Sequence, residues 1–128
     1  MKPSEPHHPG RCKMVNDVIS LAGDKWSVQV VMFLGGGKKR FSEIKRSVDG
    51  VSQKMLTTTL RGLERDGYVT RTVFPTIPPR VDYELTPLGQ ELRKPLSDLG
   101  AWALANYSRV AEARATYDAR ETKPEKAA

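Results

Sequence analysis

One thiol, Cys12, and two imidazoles, His7 and His8, are all the chain holds of those two chemistries. A single cysteine excludes an internal disulfide framework. With both histidines in the first eight residues, a histidine-based triad or a metal site is a poor reading. Neither a metal nor a cofactor is expected. Aromatic residues make up only 7%, and no cluster of them offers the stacking platform that single-stranded nucleic acid needs. No apolar run approaches the roughly 20 residues that span a bilayer. The opening MKPSEPHHPGR has no apolar core of the secretory-signal type. The expectation is a cytoplasmic protein without a membrane partner. The glycine run Gly35-Gly36-Gly37-Lys38-Lys39 is not a phosphate loop: residue 32 is Met, and Lys39 stands where Ser or Thr is needed. It also lacks the third glycine of a dinucleotide fingerprint, and no paired acids mark a pocket. The chain reads as not an enzyme.

What is present is charge in one place. The chain has 128 residues, 38% apolar and 28% charged, enough for one domain that buries about two thirds of its unfolded surface. Between Lys38 and Arg80 stand ten basic residues and four acidic ones, an excess equal to the whole net charge of +6. A confined basic patch is the footprint of a polyanion partner; a solvated surface is the plainer alternative.

Residues 1–11 are proline-rich and aperiodic and read as a flexible arm, and residues 121–128 as a disordered tail. Between them lies one domain, 12–120. Met14, Val15, Val18, Ile19 and Ala22 follow a 3.6 period, ended by Gly23. Asp24 can cap a second helix carrying Trp26, Val30, Phe33 and Leu34. Its valines leave a strand open, but length and spacing favour a helix, which the glycine run must break. Ser42 is a suitable cap for a short helix through Val48, with Phe41 and Ile44 inward. After the Asp49-Gly50 turn, Ser52 caps a helix to Asp66, closed by Gly67. There Leu56, Leu60 and Leu63 share a narrow arc opposite Lys54, Thr57, Thr58, Arg61 and Arg65. Two amphipathic helices around a tight turn, over about 41–67, form a helix-turn-helix pattern.

The period then drops to two. Residues 68–74 read as a strand, and Val81–Leu85 as a second. The proline-rich stretch 75–80 between them forms a stiff tip, so about 68–85 is a hairpin wing. Thr86-Pro87 opens C-terminal helices over about 87–119, with a stripe of Leu88, Leu92, Leu96, Leu99, Trp102 and Ala103. Pro95 is expected to kink or restart them near Lys94. The fold class is mainly α with a small β-hairpin: a winged helix-turn-helix whose N- and C-terminal helices form a dimer interface.

The order of the fragments is specific. Cys12, Gly23-Asp24-Lys25-Trp26, Arg40-Phe41-Ser42-Glu43-Ile44, Val51-Ser52-Gln53-Lys54-Met55-Leu56-Thr57, Leu60-Arg61-Gly62-Leu63-Glu64-Arg65-Asp66-Gly67 and Pro78-Pro79-Arg80-Val81-Asp82-Tyr83-Glu84-Leu85-Thr86 together resemble the HxlR-type winged helix-turn-helix regulators of bacteria. The resemblance spans about Cys12 to Ala103. Gln53 departs from it, standing where proline is common, as does Gly62, where a better helix former is usual. It implies a DNA-binding transcription regulator, with repression favoured because binding alone suffices. Some members of that family sense oxidants or electrophiles through a cysteine near the position of Cys12.

The residues support the same destination. The second helix of such a unit meets base edges near its N-terminus, which nominates Ser52, Gln53, Lys54, Thr57, Thr58 and Arg61. Gln53 suits adenine, and Lys54 and Arg61 suit guanine. Lys38, Lys39, Arg40, Ser42 and Lys45 are phosphate candidates, although Lys45 and Arg46 could serve solubility alone. Arg71 and Arg80 are the wing candidates, with Arg71 alternatively pairing Glu84. The partner is double-stranded DNA bearing a palindromic operator, bound by a homodimer. RNA is disfavoured because its deep, narrow major groove excludes a helix. Cys12, between Arg11 and Lys13, lies in the cationic setting that makes thiols reactive. It is a candidate sensor of an oxidant or small-molecule effector, or a small residue packing the dimer interface. A winged-helix protein-interaction module is the reading without DNA.

Overall fold

The computed structural model describes residues 9–122. The sequence's short-range signals account for most of its elements. Helix α1, Pro9–Gly23, and helix α2, Lys25–Leu34, are separated by Asp24, whose carboxylate accepts from the Trp26 N–H at 3.4 Å and the Ser27 hydroxyl at 2.6 Å. That cap fixes where α2 begins. Helix α2 ends at the glycine run, where Gly37 takes a φ of 122°. Only glycine holds that conformation without strain.

Strand β1 (Lys39–Arg40) leads into helix α3 (Phe41–Ser47), and helix α4 spans Gln53–Arg65. Ser52 caps α4 as expected, its Oγ accepting from the Met55 N–H at 3.1 Å. Gly67, at φ 84°, closes it. Ser42 is not the cap of α3. The cap position is two residues earlier, at Arg40, so the helix starts at Phe41, and Glu43 reaches back to accept the Arg40 N–H at 2.9 Å. A carboxylate in the first turn meets an orphan backbone donor there, so no hydroxyl is needed.

Strands β2 (Val69–Phe74) and β3 (Arg80–Leu85) form the expected antiparallel ribbon. The sheet is wider than a hairpin. Strand β1 adds to the free edge of β3, with Lys39 opposite Tyr83 and Arg40 opposite Asp82, giving the order β1-β3-β2. Two residues carry no readable alternation, so this strand escapes sequence patterning.

The core is one cluster. Val30, Val31 and Leu34 of α2, Ile44 of α3, Leu56, Leu60 and Leu63 of α4, Val69 of β2 and Leu85 of β3 pack with Leu96. Leu96 belongs to helix α5, Pro87–Thr122, which is one continuous helix through Pro95. Of the two outcomes expected at Pro95, a kink or a restart, the restart does not occur. Proline removes one hydrogen-bond donor, and the turns on either side hold without it. At the start of α5 the Thr86 hydroxyl accepts the Gly89 N–H at 3.1 Å and donates to the Gly67 carbonyl at 2.6 Å. That hydroxyl ties the end of α4 to the start of α5.

The chain divides into two compact units, one reaching Leu96 and the other starting at Ser97. In the second unit Leu99, Trp102, Leu104, Tyr107 and Tyr117 are exposed. In the first, α1 exposes Met14, Val15, Val18 and Ile19. The arm expected over 1–11 is already helical from Pro9, and the tail expected from 121 is helical through Thr122. The rest of both lies outside the described residues, as do His7 and His8.

Candidate nucleic-acid interface

Helix α4 divides cleanly by face. Leu56, Leu60 and Leu63 are at most 2% exposed. Ser52, Gln53, Lys54, Thr58 and Arg61 face solvent, and Thr57 is half-buried. Thr59 is buried and joins the core side. Gln53 to Arg61 includes no acid, so the outward face presents two cations, an amide and hydroxyls. This donor-rich set is suited to phosphates and base acceptors.

The β1–α3 segment supplies further cations, but it splits them. Residues along a strand alternate between faces. Arg40 lies opposite Asp82 on one face of the sheet. Lys39 turns the other way, with its ammonium 5.2 Å from the centre of the Phe33 ring. Lys38, Arg46 and Ser42 are exposed, and Lys45 is half-buried. Arg40, Phe41 and Ser42 form one wall of a groove whose other wall is the wing tip, Thr76 to Val81. Arg80 therefore shares a groove with Arg40 and Ser42. At its rim Ile77 is fully exposed.

Two wing cations have partners. Arg71 pairs with Glu64 of α4, Nε to Oε1 at 3.6 Å, and not with Glu84. The register explains the difference. Thr70 stands opposite Glu84, and Arg71 opposite Tyr83, so Arg71 and Glu84 emerge on opposite faces. The pair bridges α4 to β2 beside Tyr83. Burial pushes the Tyr83 phenol above its ordinary value of 10.0, against the opposing field of Arg71. It is a neutral hydroxyl at physiological pH.

Arg80 makes a two-pronged contact with Asp82: Nε donates to Oδ1 at 3.1 Å and a terminal nitrogen to Oδ2 at 3.0 Å. Its guanidinium also lies 4.5 Å from the centre of the Phe74 ring. The Asp82 side chain is 7% exposed. The hydrogen bonds from Arg80 hold its carboxyl below the ordinary 3.8, aided by the charges of Arg80, Lys38 and Arg40 and opposed by burial. A depressed carboxyl stabilises the folded state above its unfolded value, and that contribution is lost as the pH falls through the folded value. The fork is thus intact throughout the neutral range. Sequence reasoning did not single out Asp82, Phe74 or Glu64. Strand β3 begins at Arg80, one residue before the Val81 that the sequence pattern marks, and two residues apart on one strand Arg80 and Asp82 share a face.

Cys12 is half-buried on α1. Among the described residues no group of three or more His, Cys, Asp or Glu is placed to hold a metal, and no helix is long and apolar enough to cross a membrane.

Residues 21–111 match the family described as HxlR-like helix-turn-helix. The HTH-type transcriptional regulator YtfH of Escherichia coli is 37% identical over 98 residues, 77% of this chain and 78% of that protein. Among solved structures, a transcriptional regulator ytfH from Salmonella typhimurium superposes with a TM-score of 0.72 at 36% identity, covering 78% of this chain and 89% of that one. The redox regulator HypR in its reduced form gives 0.71 at 35% identity, covering 77% and 97%.

Proposed function

The chain belongs to the HxlR-like helix-turn-helix family of transcriptional regulators, and from that premise we propose that it is a homodimeric repressor occupying a palindromic operator. The observation that carries this reading is the outward face of α4, where Lys54, Thr58 and Arg61 are exposed with no acid between Gln53 and Arg61. Helix α4 enters the major groove, with Ser52, Gln53, Lys54, Thr57, Thr58 and Arg61 toward the bases. Lys38, Arg40, Ser42 and Lys45 contact phosphates, and Arg80 extends the contact through the wing. Lys39 and Arg71, engaged by Phe33 and Glu64, add field rather than direct contact. The protein acts in the cytoplasm, on DNA, and catalyses no reaction.

Dimerisation is supported by apolar residues that one chain leaves uncovered: Met14, Val15, Val18 and Ile19 of α1 and, separately, Leu99, Trp102 and Tyr107 of α5. Such residues mark an association surface. A two-fold dimer sets its recognition helices about 34–36 Å apart, one turn of DNA.

Duplexes selected from random DNA and titrated at two salt concentrations test the reading. A palindromic half-site and a steep loss of affinity with salt are expected, because phosphate contacts release counterions. Absence of duplex binding at low salt overturns it.

A second reading is favoured by the likeness to HypR, described as a redox regulator, and by the place of Cys12 on α1. Two-electron oxidation of Cys12 by a peroxide-class oxidant, giving an intersubunit disulfide or a mixed disulfide with a small thiol, or alkylation of its sulfur by an electrophile, switches operator affinity. Comparing Cys12→Ser with wild type, with and without oxidant, separates the readings; equal affinities throughout eliminate the switch. A protein-interaction module that never touches DNA predicts that Lys54→Ala and Arg61→Ala leave regulation intact.

A further inference from the structure

Asp82 is out of place on a surface built for a polyanion. A carboxylate there repels phosphates, and burying it carries a desolvation cost unless it is paired and hydrogen-bonded. Its side chain is nonetheless 7% exposed at the centre of the sheet, beside Arg40 on one neighbouring strand and Thr72 on the other. The charged groups that act on it are Arg80, Lys38 and Arg40, all cationic. The acceptors of Asp82 take two N–H groups of Arg80, the inner nitrogen and one terminal nitrogen. A guanidinium has five such groups, so three remain. Phe74 backs the same guanidinium, and Arg80 lines the groove that Arg40 and Ser42 also line.

We propose that Asp82 is a positioning residue of the DNA interface. Its buried carboxylate fixes the Arg80 guanidinium against Phe74 and presents the remaining N–H groups to a DNA phosphate in the groove shared with Arg40 and Ser42. This rests on the DNA-binding reading above and adds a residue to it. A long cationic side chain loses rotamer freedom when it grips a phosphate; one already held by a fork loses little more on binding. The gain from a preset guanidinium outweighs the repulsion of one carboxylate, whose charge Arg80 neutralises at about 3 Å.

Bulk charge and positioning predict opposite signs, which makes the test sharp. Full-length Asp82→Asn, Asp82→Glu, Arg80→Ala and the Arg80→Ala/Asp82→Asn pair are titrated against the selected duplex. Asp82→Asn raises the net charge by one, yet roughly tenfold weaker binding is expected, the worth of one charge-assisted hydrogen bond. Asp82→Glu, which keeps the carboxylate, recovers most of the loss. In the Arg80→Ala background, Asp82→Asn leaves binding unchanged or tightens it, because only repulsion is left to remove. Equal or tighter binding by the single variant Asp82→Asn overturns the proposal. So does an equal loss in both backgrounds, the mark of a purely structural role. Should Asp82→Asn lower the melting temperature, Arg80→Lys replaces it: charge without a fork is expected to bind several-fold more weakly than wild type though more tightly than Arg80→Ala, and wild-type affinity overturns the idea. Failure of the wild type to bind any duplex is a different result and removes the DNA reading itself.

Discussion

The leucines of α4 and the apolar residues of the second half of α5 obey the same helical period and end in opposite surroundings. Leu56, Leu60 and Leu63 are at most 2% exposed, whereas Leu99, Trp102 and Tyr107 are 54–58% exposed. The difference lies in what surrounds each helix. Strands and helices close over the inner face of α4, while residues from Ser97 onward form a compact unit of their own. A periodic apolar stripe therefore says that a helix has a side to bury, and not whether the same chain buries it.

The largest effect is expected on the buried face of α4. Leu60→Ala is expected to cost about 2–5 kcal/mol in unfolding free energy, because it deletes core contacts and leaves a cavity. Chemical denaturation of the isolated protein measures this; a loss comparable to that of a surface substitution would place Leu60 outside the core. Two glycines sharpen the point. A Cβ on buried Gly89 would collide with the Tyr68 carbonyl oxygen, a backbone atom that cannot step aside, whereas one on Gly62 would meet nothing within 4 Å. Gly89→Ala should therefore destabilise by about 1–3 kcal/mol or more, as overpacking does.

At the exposed end the effect should appear in assembly rather than folding. Trp102→Ala is expected to weaken self-association by about 2 kcal/mol, the scale of an interface anchor, while helix content is kept. Sedimentation over a concentration series reads it, and an unchanged oligomeric state refutes this use of the α5 stripe. The smallest expected effect is Gly62→Ala, a gain of about 1 kcal/mol from helix propensity, visible as a raised denaturation midpoint. Should the stabilised variant lose operator affinity, the missing side chain at 62 serves close approach to DNA.

Much of the molecule was legible because its signals are local. The caps at Asp24, Ser52 and Thr86, the left-handed glycine after α4 and the α4 leucines each depend on neighbours within a turn or two. The illegible parts each depend on something distant. Strand β1 exists because β3 offers it an edge. Arg71 found Glu64 rather than Glu84 because the sheet register decides which side chains share a face. Asp82 became visible only when its fork with Arg80 and the ring of Phe74 were placed around it.

The order of residues alone settled the helix-turn-helix, the ribbon after it, the concentration of positive charge between Lys38 and Arg80, and the division of α4 into leucine and cation faces. These follow from backbone periodicity and capping chemistry, which act over a few residues. Packing alone decided that Lys39 turns to Phe33 and that Arg71 meets Glu64 rather than Glu84. Each of these outcomes was selected by groups the chain brings together only after folding.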